Sequence, residues 1–238
     1  MTNTLKTRPS DEIAPEGLAD AGRAVADLAH LAKNIIQVLS GCSEIIDLAL
    51  KTGQLDRVQK AWQLHQPSFW RLKKFQLDLI KYTKHYPLSL QLCELNTLIA
   101  AAAKLLEPFF VKRNVQFSSH LADNLPLLTA DGEKLRDAVV NLLITAVDNL
   151  QDQPGQLSIA TFFMKSDNAV RIIVCDSGPL LDAAEYDALL TPHERCRNML
   201  GTGLEIPLAK HVIEDHRGRL NLNTDPTKTN TLEVLLPL

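Results

Sequence analysis

The sequence predicts an α+β chain in two parts, an antiparallel helical hairpin followed by an α/β sandwich. Apolar residues recur at alternating steps of three and four over two long N-terminal stretches, which is the seam of long packed helices. After residue 86 the pattern changes to short strand-like runs alternating with helical ones. At 238 residues and 45% apolar content, the chain has material for a packed core.

The first helix is predicted from Leu28, Leu31, Ile35, Val38, Cys42, Ile45 and Ala49, in a stretch without proline from residue 18 to 50. A break at Lys51-Thr52-Gly53-Gln54 leads to a second series: Leu55, Val58, Trp62, His65, Phe69, Leu72 and Leu79, with polar Gln76 as its one gap. Two long helices joined by so short a loop form an antiparallel hairpin. Ile36, Leu39, Ile46 and Leu50 add a stripe beside the first seam, so burial is easiest if two chains pair as a four-helix bundle. Pro67 removes one backbone hydrogen bond inside the second helix, and a kink is expected near His65.

Tyr86-Pro87 marks a boundary, giving a disordered tail over residues 1–17, a hairpin over 18–86 and a second domain over 87–238. In that domain, strands are expected at 88–92, 115–121, 157–164, 170–175, 220–223 and 232–236, and helices at 96–113, 131–150 and 203–216. The acidic Asp131 suits the positive end of its helix dipole, and Lys165-Ser166-Asp167-Asn168 reads as a hairpin turn. Residues 181–200 are polar and irregular. The sum is a mixed sheet with helices on one face.

A net charge of -3 with 22% charged residues supplies no basic field for nucleic acid or a membrane surface. Cys42, Cys93, Cys175 and Cys196 form no CxxC pair and read as small core residues of a reducing compartment. Neither a signal-peptide core nor a stretch of roughly 18 apolar residues is present, so a cytoplasmic protein without membrane insertion is expected.

Two glycine-bearing stretches carry the chemistry. Gly201-Thr202-Gly203-Leu204 opens a helix, where backbone N–H groups approach phosphate closely and the dipole favours negative charge. Asp176, followed by Gly178, leaves a buried strand and is placed to accept a hydrogen bond from the exocyclic amine of adenine.

Together with Asn141-Leu142-Leu143-Ile144-Thr145-Ala146, these stretches resemble the nucleotide-binding boxes of the histidine kinase, gyrase, Hsp90 and MutL ATPases. The resemblance makes Asn141 part of the N box, Asp176 and Gly178 the first glycine box, Gly201 to Leu204 the second, and residues 181–200 a lid over ATP. Upstream, Leu28-Ala29-His30-Leu31-Ala32-Lys33-Asn34 resembles the phosphoacceptor box of sensor histidine kinases, with His30 as acceptor and Lys33 placed to steady the transferred phosphate. It implies ATP and Mg2+ as cofactors, with Asn141 and Thr145 as metal ligands. A homodimer through residues 18–86 and a response-regulator receiver domain are the implied partners. The input signal would come from a separate sensor protein or a lost fusion partner.

The chain departs from the family at four positions. Thr145 replaces the second asparagine of the N box, Leu180 and Glu205 replace box glycines, and Leu31 replaces the acid that serves the phosphoacceptor as base. The lid stretch Thr191-Pro192-His193-Glu194-Arg195-Cys196 lacks the family's phenylalanine-rich box. Two readings stay open. One is an ATP-dependent histidine kinase that phosphorylates His30 and passes the group to a response regulator. The other is a kinase-like dimer without ATP turnover that serves as a phosphotransfer or scaffold protein. An ATPase of the MutL or Hsp90 type is disfavoured by Asn141, where those proteins place a glutamate, and by the long hairpin.

Overall fold

A computed structural model of the chain describes residues 15–84, 87–191, 201–224 and 229–238. The hairpin is formed by α1 (Pro15–Lys51) and α2 (Leu55–Thr83), joined at a turn in which Gly53 takes φ 70°. Most of the expected tail, residues 1–14, lies outside the described residues, and Pro15 to Gly17 already belong to α1. Helix α2 continues through Pro67 to Thr83 without interruption. The expected boundary at Tyr86 also lies outside the described residues.

Leu31, Ile35 and Phe75 form the buried centre of the hairpin, with Leu28, Leu39, Leu72 and Leu79 packed against it. The facing stripe of α2 follows the expected one at Leu72 and Leu79 and departs from it at other positions. Ala61 and Phe75 are buried, whereas Trp62 and Phe69 are exposed. A two-helix unit covers one stripe of each helix, and the stripe set by Phe75 is the one that meets α1. On α1, Val38 and Ile45 keep 48% and 50% of their surface exposed although they lie on the expected seam.

The second part begins with β1 (Gln91–Cys93), α3 (Leu95–Lys112), β2 (Val115–His120) and β3 (Leu128–Ala130). Strands β1 and β3 pair antiparallel as a small separate sheet. Helix α4 (Gly132–Asn149) is capped by Asp131, whose side chain accepts the Lys134 N–H at 3.1 Å. Strands β4 (Gly155–Met164) and β5 (Ala169–Asp176) form the expected hairpin, with Asn168 at φ 47° in its turn.

The segment expected to be irregular contains a helix, α5 (Ala183–Leu190), closed at its start by a capping box between Asp182 and Glu185. Its later residues, 192–200, lie outside the described residues. Helix α6 (Glu205–Asp215), β6 (Arg219–Thr224) and β7 (Asn230–Pro237) complete the fold. The main sheet runs β2-β4-β5-β7-β6, with β2 parallel to β4 and the other neighbours antiparallel. Apolar residues of α3, α4 and α6, among them Ile99, Leu142 and Ile213, pack on Leu157, Ile172 and Val234 of the sheet to form one core.

Candidate nucleotide site

Strand β5 ends, and helix α6 begins, at the mouth of a cavity of about 210 Å3. Asp176, Asn149, Thr145, Leu189, Ile206 and Asn230 are among its walls. Asp176 is only 4% exposed. Its Oδ1 accepts from Asn149 Nδ2 at 2.7 Å, from the Gly178 N–H at 2.9 Å and from Asn230 Nδ2 at 3.1 Å. Three donors on one oxygen fix the carboxylate and satisfy a buried charge that would otherwise be costly. A Cβ at Gly178 would meet the Asn149 backbone oxygen at 2.5 Å, so close chain approach requires glycine there.

At the other end of the cavity, three consecutive amides point at carboxylates of the same chain. The Gly201 N–H donates to Asp148 Oδ2 at 2.9 Å, the Thr202 N–H to Glu205 Oε1 at 2.8 Å, and the Gly203 N–H to Glu205 Oε2 at 2.9 Å. Gly203 has φ 74°, a conformation natural to glycine, and this turns its N–H back onto Glu205. Both acids are answered by cations. Lys74 Nζ of α2 lies 2.8 Å from Glu205 Oε1 and 2.5 Å from Asp78 Oδ2, and Arg113 Nη1 lies 3.2 Å from Asp148 Oδ1. Arg71 Nε donates to the Gly201 carbonyl at 3.0 Å, and Thr202 Oγ1 donates to Asp78 Oδ2 at 2.9 Å.

The electrostatics follow from who shares which partner. Burial pushes the Glu205 carboxyl up, but the Lys74 charge and hydrogen bonds, with the Thr202 amide, outweigh it and hold the group below its ordinary range. Asp78 shares the same lysine without backbone donors, and burial raises it. Lys74 loses to burial and gains more from its two acids, so its pKa is raised. Asp148 is pushed up to about 6, first by burial and further by Glu205, against the pull of Arg113.

Of the residues singled out from sequence, Asp176, Thr145, Gly201 and Gly203 line the cavity. Gly178 sits behind Asp176 and donates to it. Thr202 and Leu204 are fully buried, Thr202 in the polar contact with α2 and Leu204 at the cap of α6. Asn141 lines a groove between α4 and α2 with Lys74 and Asp78, whereas Thr145, one turn on, faces the cavity and donates its hydroxyl to the Asn141 carbonyl at 3.0 Å. His30 and Lys33 are exposed on α1, beside buried Leu31. Leu180 is half exposed and is not among the residues that line the cavity. The lid residues His193 to Cys196 lie outside the described residues.

Sequence reasoning missed Asn149, Asn230, Asp148, Lys74 and Arg113. Asn149 carries a faint signal, eight residues along the same helix from Asn141. Asn230 is brought to Asp176 by strand register, directly opposite it in the β5–β7 pair. Lys74 and Arg113 arrive through tertiary packing and leave no local pattern.

Residues 130–238 match the family described as histidine kinase-, DNA gyrase B- and HSP90-like ATPases. The likeness extends to the hairpin. A solved structure of histidine kinase ThkA in complex with response regulator protein TrrA superposes with a TM-score of 0.66, covering 93% of this chain and 63% of that one at 21% identity. The fold is that of a two-component histidine kinase core. Full-length ShkA in complex with AMPPNP shares this core with a TM-score of 0.61 over 88% of the chain and 45% of ShkA, at 16% identity. Sensor histidine kinase ZraS of Escherichia coli (strain K12) is 27% identical over 223 residues, which is 94% of this chain and 47% of ZraS. The chain thus spans about half the length of the curated relatives it matches. Among the described residues, no helix is long and apolar enough to cross a membrane.

Proposed function

We propose that the chain is the working core of a histidine kinase: it binds ATP in the cavity, phosphorylates His30 and passes the phosphoryl group to the receiver domain of a response regulator. The observation that supports this reading best is Asp176, a buried acid held by three donors at the wall of the cavity into which the glycine turn also opens. Such a fixed acceptor suits the exocyclic amine of adenine, and a site built around a polar partner discriminates strongly against a base lacking it. Residues 18–86 serve as the phosphoacceptor and dimerisation unit and residues 87–238 as the ATP-binding unit, working in the cytoplasm where ATP is available.

His30 stands exposed on α1, one residue before buried Leu31, so the packing of the hairpin fixes the helix while the imidazole faces outward. A neutral ring nitrogen attacks the γ-phosphorus with its lone pair, an N–P bond forms, and the bond to the bridging oxygen breaks as ADP leaves. The task of the protein is positioning and charge stabilisation. Lys33, one turn along α1, supplies positive charge near the acceptor. Thr145, which faces the cavity, offers an oxygen ligand of the kind magnesium takes, and magnesium held there would neutralise phosphate charge, whereas Asn141 lines the groove towards α2 and not this cavity. The exposed flank bearing Val38 and Ile45 is covered by a second hairpin in a homodimer, and input reaches the core from a separate sensor protein.

Incubation with γ-labelled ATP and magnesium tests the reading. Acid-labile, base-stable label that vanishes in His30→Gln is expected. Absence of label on a folded dimer would reject the autokinase and leave a phosphotransfer or scaffold protein as the account.

A further inference from the structure

Glu205 stands at the first position of α6 with both carboxylate oxygens on the amides of Thr202 and Gly203, while Asp148 takes the amide of Gly201. Those are the three amides that the glycine stretch would offer to nucleotide phosphate. A carboxylate and a phosphate seek the same thing at such a place, namely convergent N–H donors at the positive end of a helix. They cannot both have it. The chain's own acids therefore occupy the phosphate end of the cavity, while the end walled by Asp176 is lined for a base.

The occupation is not a local accident of one side chain. Glu205 is held from the far side by Lys74, which lies 131 positions away on the hairpin helix α2 and also binds Asp78. Thr202 Oγ1 donates to that same Asp78, and Arg71 of α2 donates to the Gly201 carbonyl. The cation that holds Glu205 on the amides from outside the glycine turn thus comes from the docked hairpin. Withdrawal of α2 would leave a buried carboxylate without its counter-ion, and the carboxylate would then leave the amides for solvent.

We propose that Glu205 is a specificity-determining residue of the nucleotide site. While α2 is docked, its carboxylate excludes phosphate from the Gly201–Gly203 amides, so that the site distinguishes poorly between adenosine and ATP. Release of Glu205 together with Lys74 opens those amides to the triphosphate. This rests on the nucleotide reading given above and adds which part of the ligand each arrangement can hold.

Calorimetric titration of the full chain with adenosine and with magnesium ATP tests it, using wild type, Glu205→Ala and Glu205→Gln. In Glu205→Ala, Lys74 keeps Asp78 as partner and alanine suits a helix start, so the fold should persist, as circular dichroism would verify. Wild type is expected to bind adenosine and ATP within about threefold of each other, and Glu205→Ala to raise ATP affinity about tenfold or more while adenosine stays within about twofold. Glu205→Gln, which removes the charge and keeps the size, should give a smaller gain in the same direction and carries the test if the alanine variant fails to fold. Wild type binding ATP at least tenfold more tightly than adenosine, with no gain in either variant, overturns the role of Glu205 and leaves the nucleotide reading standing. No binding of adenosine or ATP by any of the three overturns both together.

Discussion

Lys74 on α2 and Glu205 at the start of α6 form an ion pair, Nζ to Oε1 at 2.8 Å, across 131 positions of the chain. Both side chains are largely out of water, at 27% and 6% exposure, and the same lysine also neutralises Asp78. Removing the cation leaves two buried acids facing each other. Lys74→Met, which keeps the length of the stem, is expected to cost about 3–5 kcal/mol in urea-denaturation stability. A loss below about 1 kcal/mol would show that the pair adds nothing to the docking of the hairpin.

Asp148 gives a pH signature. Burial pushes its carboxyl up to about 6 from an ordinary value of 3.8. An acid raised in the folded state holds its proton more readily folded than unfolded. Its ionisation therefore costs stability in full above pH 6, by less as the pH falls from 6 to 3.8, and not at all below that window. Asp148→Asn keeps an acceptor for the Gly201 amide and cannot ionise. The stability of this variant relative to wild type should rise by on the order of 1–3 kcal/mol between pH 4 and pH 7. Denaturation curves at four pH values measure it, and a difference that does not change with pH would show that Asp148 is not the titrating group.

Asp176→Asn tests the base-reading wall. The substitution is close to isosteric and leaves one oxygen for the donors of Asn149, Gly178 and Asn230, but it replaces an acceptor by an NH2 group, which under the proposed reading would confront adenine's own amine. We expect an unaltered thermal melt to within a few degrees and a loss of ATP affinity of roughly 10- to 100-fold. Unchanged affinity would place adenine elsewhere.

Ile45 lies on the exposed flank of α1 with half its surface in contact with solvent. If a second hairpin covers this flank, Ile45→Glu puts a charge into that interface and should turn a dimer into a monomer by light scattering, with the helical circular-dichroism signal kept. A variant that remains dimeric at micromolar concentration would move the interface away from this stripe.

Much of the fold could be read from local pattern because its helices are long and its strands alternate. The heptad spacing located both helices of the hairpin. It placed Leu72 and Leu79 against the partner helix but could not fix the stripe's edges, which is why Ala61 and Phe75 are buried where Trp62 and Phe69 were expected. Helix α5 was missed although its capping pair, Asp182 and Glu185, stood in the sequence, because eight residues with polar surroundings carry little periodicity. The strand expected at 88–92 is present but shifted, as β1 at Gln91–Cys93, while β3, at three residues, was too short to show alternation. In the site, Asp176 and the glycines were legible from their positions at a strand end and a helix start. The answer to Glu205 was not. Its charge looks purely repulsive along the chain, and only packing shows Lys74 and two amides receiving it.

Asn230 divides its one side chain between two tasks. Its Oδ1 accepts the Leu181 N–H at 2.9 Å and the Tyr186 hydroxyl at 3.3 Å, rooting the segment that enters α5, while its Nδ2 reaches Asp176 at 3.1 Å and the Pro179 carbonyl at 3.0 Å. No replacement supplies both a donor amide and an acceptor of that reach except glutamine, whose extra methylene does not fit a residue 1% exposed. Position 230 is therefore a mutational choke point. Across a saturation library scored for nucleotide binding it should tolerate almost nothing, while the adjacent Thr231, on the other face of the same strand, accepts many substitutions.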